Sequence, residues 1–231
     1  GISSYFNKGL NSFISVKKTD KNINNILKLS IIYKKNADYL YTKKLYNDAI
    51  IFYNEYFELL KIIKNNNESI VESQFEKLNY LSACFNLALL YSDKREFIKA
   101  KQYFDEIFLV CNDYIKNNPE NTEFVKLSGI VLNGLGNLYF NQAEYNKAMK
   151  FFEDSLEIFN KLKQNDKNSI DNIYMYCSNL YNIGVTIKFF SNIDVGNKKL
   201  KECKDILDKY SSSGDKNIAT LSSRLEIALS Q

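Results

Sequence analysis

The stretch from Gly129 to Lys161, GIVLNGLGNLYFNQAEYNKAMKFFEDSLEIFNK, decides the fold. Leu135 and Gly136 are followed three residues later by Tyr139, and then come Tyr145, Ala148 and Phe152. Apolar residues at this spacing form one face of a helix. A small residue on each of two antiparallel helices lets the backbones approach, and aromatic rings fill the space on either side.

The pattern recurs through the chain. The first small residues are Ala37, Ala88, Gly136 and Gly184, and the second are Ala49, Ala100, Ala148 and Gly196. Within every copy the two are 12 apart, and from copy to copy the steps are 51, 48 and 48. Three before the second small residue stand Tyr46, Phe97, Tyr145 and Ile193; four after it stand Tyr53, Phe104, Phe152 and Leu200. The chain resembles a tetratricopeptide-repeat protein from Thr19 to Tyr210, with the fourth copy the most degenerate. Leu132 and Asn160 replace the tryptophan and proline of the fuller pattern. A standard unit has about 34 residues, so these copies are longer, with helices of roughly 20–25 residues, about 30–37 Å at 1.5 Å per residue.

The resemblance implies an all-α fold, a right-handed solenoid of four antiparallel helix pairs with an additional helix at each end. Residues 1–18 form the first segment, where Phe6, Leu10, Phe13 and Ile14 give Ser3–Val16 the spacing of an amphipathic helix. The four extended repeats are expected at 19–66, 67–117, 118–166 and 167–210. Their helices fall at about Lys21–Lys43, Tyr46–Lys64, Glu68–Ser92, Glu96–Asn117, Pro119–Asn141, Glu144–Leu162, Ser169–Phe190 and Ile193–Tyr210, with Pro119 as the first residue of its helix. Residues 211–231 hold a loop, Ser211 to Asp215, and a last helix marked by Ile218, Leu221 and Leu225. It is either a capping helix, with Ser222, Ser223, Arg224 and Glu226 on its polar outer face, or the first half of a fifth repeat.

Composition agrees with that reading. The 231 residues are 45% hydrophobic and 14% aromatic, enough for a continuous core, and one proline with eight glycines suits long helices and short turns. The net charge is +4. Lysines are scattered, with small clusters at Lys17, Lys18 and Lys21 and at Lys198, Lys199, Lys201 and Lys204, and the two arginines, Arg95 and Arg224, are far apart. That is too sparse a stripe for phosphates, so no nucleic-acid partner is expected. No run approaches the roughly 18 apolar residues of a membrane span. Cys84, Cys111, Cys177 and Cys203 form no CxxC and read as small apolar fillers, which fits reduced thiols and a cytoplasmic location. A start at Gly1 points to a processed, tagged or excised chain. The sequence contains no histidine, which removes His-based triads, His metal ligands and the commonest general base. Gly134-Leu-Gly136 lies inside a predicted helix and is no phosphate loop. No enzyme, cofactor or metal is expected.

In tetratricopeptide arrays the first helix of each pair lines the concave groove. Carried over to this sequence, the inward positions include Lys34 and Asp38, then Phe85 and Asn86, then Asn133 and Asn137, then Tyr181 and Asn182. Leu89, Asn141 and Lys188 share those faces. An asparagine amide offers donor and acceptor together, so Asn86, Asn133, Asn137 and Asn182 form a ladder suited to a peptide backbone, with Phe85 and Tyr181 walling side-chain pockets. This resembles the asparagine-lined grooves of kinesin light chains and related adaptors. The clamp for acidic chaperone tails is not matched: Lys34 and Asn86 fit it, but Asp38 replaces an asparagine, and Ile130 and Gly134 replace two cations. The expected function is therefore an adaptor or scaffold taking a partner peptide or helix in its groove. The alternatives are a peptide-responsive regulatory receptor and a structural subunit whose groove is filled by its own chain.

Overall fold

The computed structural model describes residues 22–66 and 73–230. They form nine α-helices: α1 (Ile23–Thr42), α2 (Tyr46–Asn66), α3 (Gln74–Asp93), α4 (Phe97–Asn117), α5 (Thr122–Asn141), α6 (Tyr145–Asn165), α7 (Ile170–Phe190), α8 (Ile193–Leu207) and α9 (Lys216–Ser230). The fold is all-α, a succession of helix pairs, with no strand among the described residues. The expected Ser3–Val16 helix and the residues from Glu68 to Glu72 lie outside that description. The chain divides into two compact units, Gly1–Leu90 and Tyr91–Gln231.

In the first unit, α1 and α2 meet where Ala37 and Ala49 are both fully buried. The Tyr33 and Phe52 rings lie 5.5 Å apart beside that contact, and Phe57 of α2 meets Tyr80 of α3 edge-on at 5.3 Å.

The second unit repeats this arrangement from α4 to α9. Gly134 of α5 faces the Phe104 ring of α4, and Tyr114 stacks on Phe124. Gly136 faces Phe152 of α6 so closely that a Cβ would overlap the ring. Ser155 is fully buried and donates to the Gly129 carbonyl at 2.7 Å. In the fourth pair the backbones themselves touch: a Cβ on Gly196 would stand 2.7 Å from the Gly184 carbonyl oxygen. Beyond them, Cys177 and Cys203 join Ile173, Leu180, Leu200 and Leu207 in one core, which Ile218, Leu221 and Leu225 of α9 close.

Helix starts divide into two kinds. Side-chain caps open α1, α5, α7 and α8: Asn22, Asn121, Ser169 and Asn192 each accept a hydrogen bond from a first-turn N–H. Asp215 does the same for α9, after Gly214 turns the chain at φ 72°. The second helices α4 and α6 carry no such cap and follow a tight turn instead. There Glu96 and Glu144 donate their N–H to Tyr91 and Tyr139 carbonyls at 2.8 and 2.9 Å. Lys99 and Lys147 then pair with those glutamates and lie over the Tyr91 and Tyr139 rings.

Two sequence expectations are corrected. Pro119 stands in the turn before α5, where Asn121 donates to the Asn118 carbonyl at 3.0 Å, and the helix begins after the Asn121 cap. A cap with a free side-chain oxygen satisfies a first-turn N–H that proline cannot. The eighth helix ends at Leu207, and Asp208–Ser213 tightens into a 3-10 turn covering what was expected as helix end and loop.

Candidate functional site

The sequence-predicted positions of the first unit converge on one carboxylate. Asp38 Oδ1 accepts from the Tyr53 hydroxyl at 2.7 Å and from Asn86 Nδ2 at 3.0 Å, and Asp38 Oδ2 pairs with Lys34 Nζ at 2.9 Å. Asn86 Nδ2 also reaches the Tyr53 oxygen at 2.9 Å. Burial and the adjacent Asp38 carboxylate push the Tyr53 hydroxyl far above its ordinary pKa, so it stays a donor. Phe85, next to Asn86 on α3, is half-buried. Among the described residues, the buried Tyr56 hydroxyl and Glu76 Oε2 of the same unit find no hydrogen-bond partner. Burial raises the Glu76 pKa, with Asn79 and the Lys34 charge opposing that rise.

In the second unit the asparagines bond to one another. Asn137 Nδ2 and Asn182 Nδ2 donate to Asn133 Oδ1 at 3.0 and 3.3 Å, and Asn133 Nδ2 donates to Asn179 Oδ1 at 2.6 Å. Asn179, only 1% exposed, donates in turn to the Met175 carbonyl at 2.9 Å. That carbonyl can only accept, so it fixes which way every amide in the chain points. Asn179 must present its nitrogen to Met175 and its oxygen to Asn133. Asn133 must then present nitrogen inward and oxygen outward, toward two donated N–H groups. Among the described residues, the outermost members, Asn137 and Asn182, are left with a carbonyl oxygen and one N–H each.

These contacts join the first helices of successive pairs side by side. Lys126 of α5 pairs with Asp171 of α7 along the same line. From α7 the surface continues to α9, where the Arg224 guanidinium lies 4.6 Å from the Tyr181 ring centre and Lys188 Nζ donates to the Ala228 carbonyl at 2.6 Å. The face of α5, α7 and α9 thus carries Asn133, Asn137, Tyr181 and Asn182 together, while Lys34, Asp38, Phe85 and Asn86 belong to the first unit.

Sequence reasoning missed three members. Asn179 lies one turn before Asn182 on the same helix face, a signal available from helical spacing alone. Tyr53 reads as a packing aromatic until its hydroxyl finds Asp38. Arg224 reads as part of a polar outer face, yet it stacks on Tyr181. Among the described residues no group of histidines, cysteines or carboxylates is placed to hold a metal, and no helix is long and apolar enough to cross a membrane.

Comparison with known proteins agrees with this architecture. Tetratricopeptide-repeat family models match residues 81–113 and 131–162. No curated protein is significantly similar in sequence. Among solved structures the fold is similar to the crystal structure of BtubC (BKLC) from P. vanneervenii, with a TM-score of 0.62 and 19% identity over 84% of this chain and 68% of that chain. Each family match runs from the first helix of a pair into the second, so the chain carries tetratricopeptide repeats at residues 81–113 and 131–162, units that support a scaffold for protein–protein interaction.

Proposed function

We propose that the face of α5, α7 and α9 binds an extended segment of a partner protein by its backbone. Asn137 and Asn182 make the contacts, each offering one carbonyl oxygen and one N–H, the pair of groups that a peptide unit complements. Asn133 and Asn179 stand behind them and hold the amides in orientation, which reduces the ordering cost of binding. The observation that carries this reading is the one-way chain of amide hydrogen bonds ending on the Met175 carbonyl. In the first unit, Asn86 donates to Asp38 and Tyr53 and Lys34 pairs with Asp38, so Lys34, Asp38 and Asn86 spend hydrogen bonds within their own cluster, with Phe85 as their apolar neighbour.

The test is selection of binding peptides from a randomised library on the wild-type protein, followed by affinity measurement with an Asn137→Ala/Asn182→Ala variant. Loss of at least tenfold, with helicity and melting temperature unchanged, supports the reading. Equal affinity for both proteins sinks it.

A further inference from the structure

Between α7 and α9, with Tyr181 beside Asn182 in the chain as one wall, lies a pocket of about 460 Å³ walled also by Val185, Phe189, Ile193 and Ile227. Three of these are unusually open for apolar residues: Phe189 is 70% exposed, Ile193 60% and Ile227 59%. Exposed apolar side chains scattered singly are ordinary, but a converging group around a concavity marks a contact site. Lys188 lines the same pocket and turns its ammonium to the Ala228 carbonyl, which ties α9 down as the far wall.

We propose that this pocket receives one large apolar side chain, aromatic or long aliphatic, of the same segment whose backbone pairs with Asn182. The inference rests on the backbone-binding reading above. Its occupant follows from continuity: Tyr181 is both a pocket wall and the neighbour of Asn182, and Val185 and Phe189 lie three and seven residues further along α7. At about 1.5 Å per helical residue these stand roughly 4.5 and 10 Å beyond Asn182 along the helix axis. An extended peptide advances about 3.3 Å per residue, so a side chain one to three residues from the paired unit reaches the pocket. The amides would then fix position, and the pocket would choose the sequence, since backbone contacts alone do not discriminate.

The experiment uses the library-selected peptides with three proteins: wild type, Ile227→Asp, and Asn137→Ala/Asn182→Ala. Phe189→Ser serves as a second pocket variant should Ile227→Asp lower the melting temperature. The expected result is one fixed apolar position in the peptides. Its replacement by Ala weakens binding to wild type about tenfold or more and changes binding to Ile227→Asp by less than twofold. Peptides that need the two asparagines but are indifferent to Ile227 and Phe189 overturn the pocket and leave the backbone reading standing. Peptides that need the pocket but not the asparagines do the reverse. A wild-type dimer that Ile227→Asp dissociates, seen by sedimentation, overturns the proposal in favour of self-association, and failure to select any peptide overturns both readings.

Discussion

Lys34 and Asp38 stand three before and one after the small residue Ala37, the same offsets at which Asn133 and Asn137 flank Gly136. The two regions nevertheless solve different problems. An acid and a base one helical turn apart neutralise each other, and the carboxylate's remaining acceptor sites collect Tyr53 and Asn86. Four neutral amides cannot close in that way. Each bond consumes one donor and one acceptor and passes the unmatched pair to the next residue, until a backbone carbonyl ends the chain inside and the surplus emerges at Asn137 and Asn182. Equivalent positions in the repeat thus give a closed polar cluster in one unit and an open one in the other.

The largest test of that contrast is Asp38→Leu against Asn137→Leu. The first strands Lys34, Tyr53 and Asn86 together and should cost about 2–3 kcal/mol, less than a fully buried pair because Asp38 is about a third exposed. The second removes only an outer member and should stay within about 0.5 kcal/mol. Urea midpoints measure both, and equal costs would erase the distinction.

Next in size is Asn179→Leu, which leaves Asn133 without its inner acceptor and should destabilise by about 1–2 kcal/mol. It should also weaken binding of selected peptides by severalfold although Asn179 is buried away from them. An unchanged affinity would show that the outer amides need no internal alignment.

A smaller effect is expected from Glu76→Gln in the first unit. Burial raises the folded-state pKa of Glu76 above its ordinary value of 4.5, so its contribution is complete below that value. Stability is then lost as pH rises from 4.5 through the folded-state pKa. The Gln variant should flatten this decline and melt higher at neutral pH, as thermal scans across that range would reveal. A steeper decline would contradict the assignment.

The smallest signal is thiol reactivity. Cys84 in one unit and Cys111, Cys177 and Cys203 in the other are all fully buried, and burial pushes the Cys111 thiol up to about 12. None should react with a thiol reagent in the folded protein on the timescale of mixing. A thiol that labels at once would identify the unit that opens first.

Much of this architecture is legible in the sequence because it is local. Ala148 and Phe152 sit one turn apart, and their partners on the preceding helix recur at a fixed offset, so helical spacing alone finds the pairs. Pro119 misled because proline suits a turn as well as a first helical position, and the choice depends on which residue supplies the cap. In the site, register alone brings Asn133, Asn137 and Asn182 to one face. What register cannot show is donor direction, which is fixed by a carbonyl from another turn of α7. Nor can it show that Asn86, at a comparable position, would find a carboxylate and a phenol before any ligand could.

One feature of the tight turns bears on how such a chain can change length. Lys44, Arg95 and Ala143 each adopt a left-handed backbone, φ 59°, 61° and 58°, seven residues after the first small residue of their copy. A side chain there is strained by about 1 kcal/mol, and three different residues bear it. In those three pairs the turn's shape recurs, and with it the 12-residue interval between small residues, which the fourth pair keeps although Ser191 at the same position has φ −131°. The interval between copies is free to vary, and does, at 51, 48 and 48. Insertions placed between α6 and α7 should therefore be absorbed, whereas a single residue added between α5 and α6 would throw Ala148 off Gly136. In those three pairs the turn serves as a ruler, leaving growth of the array to the connections between pairs.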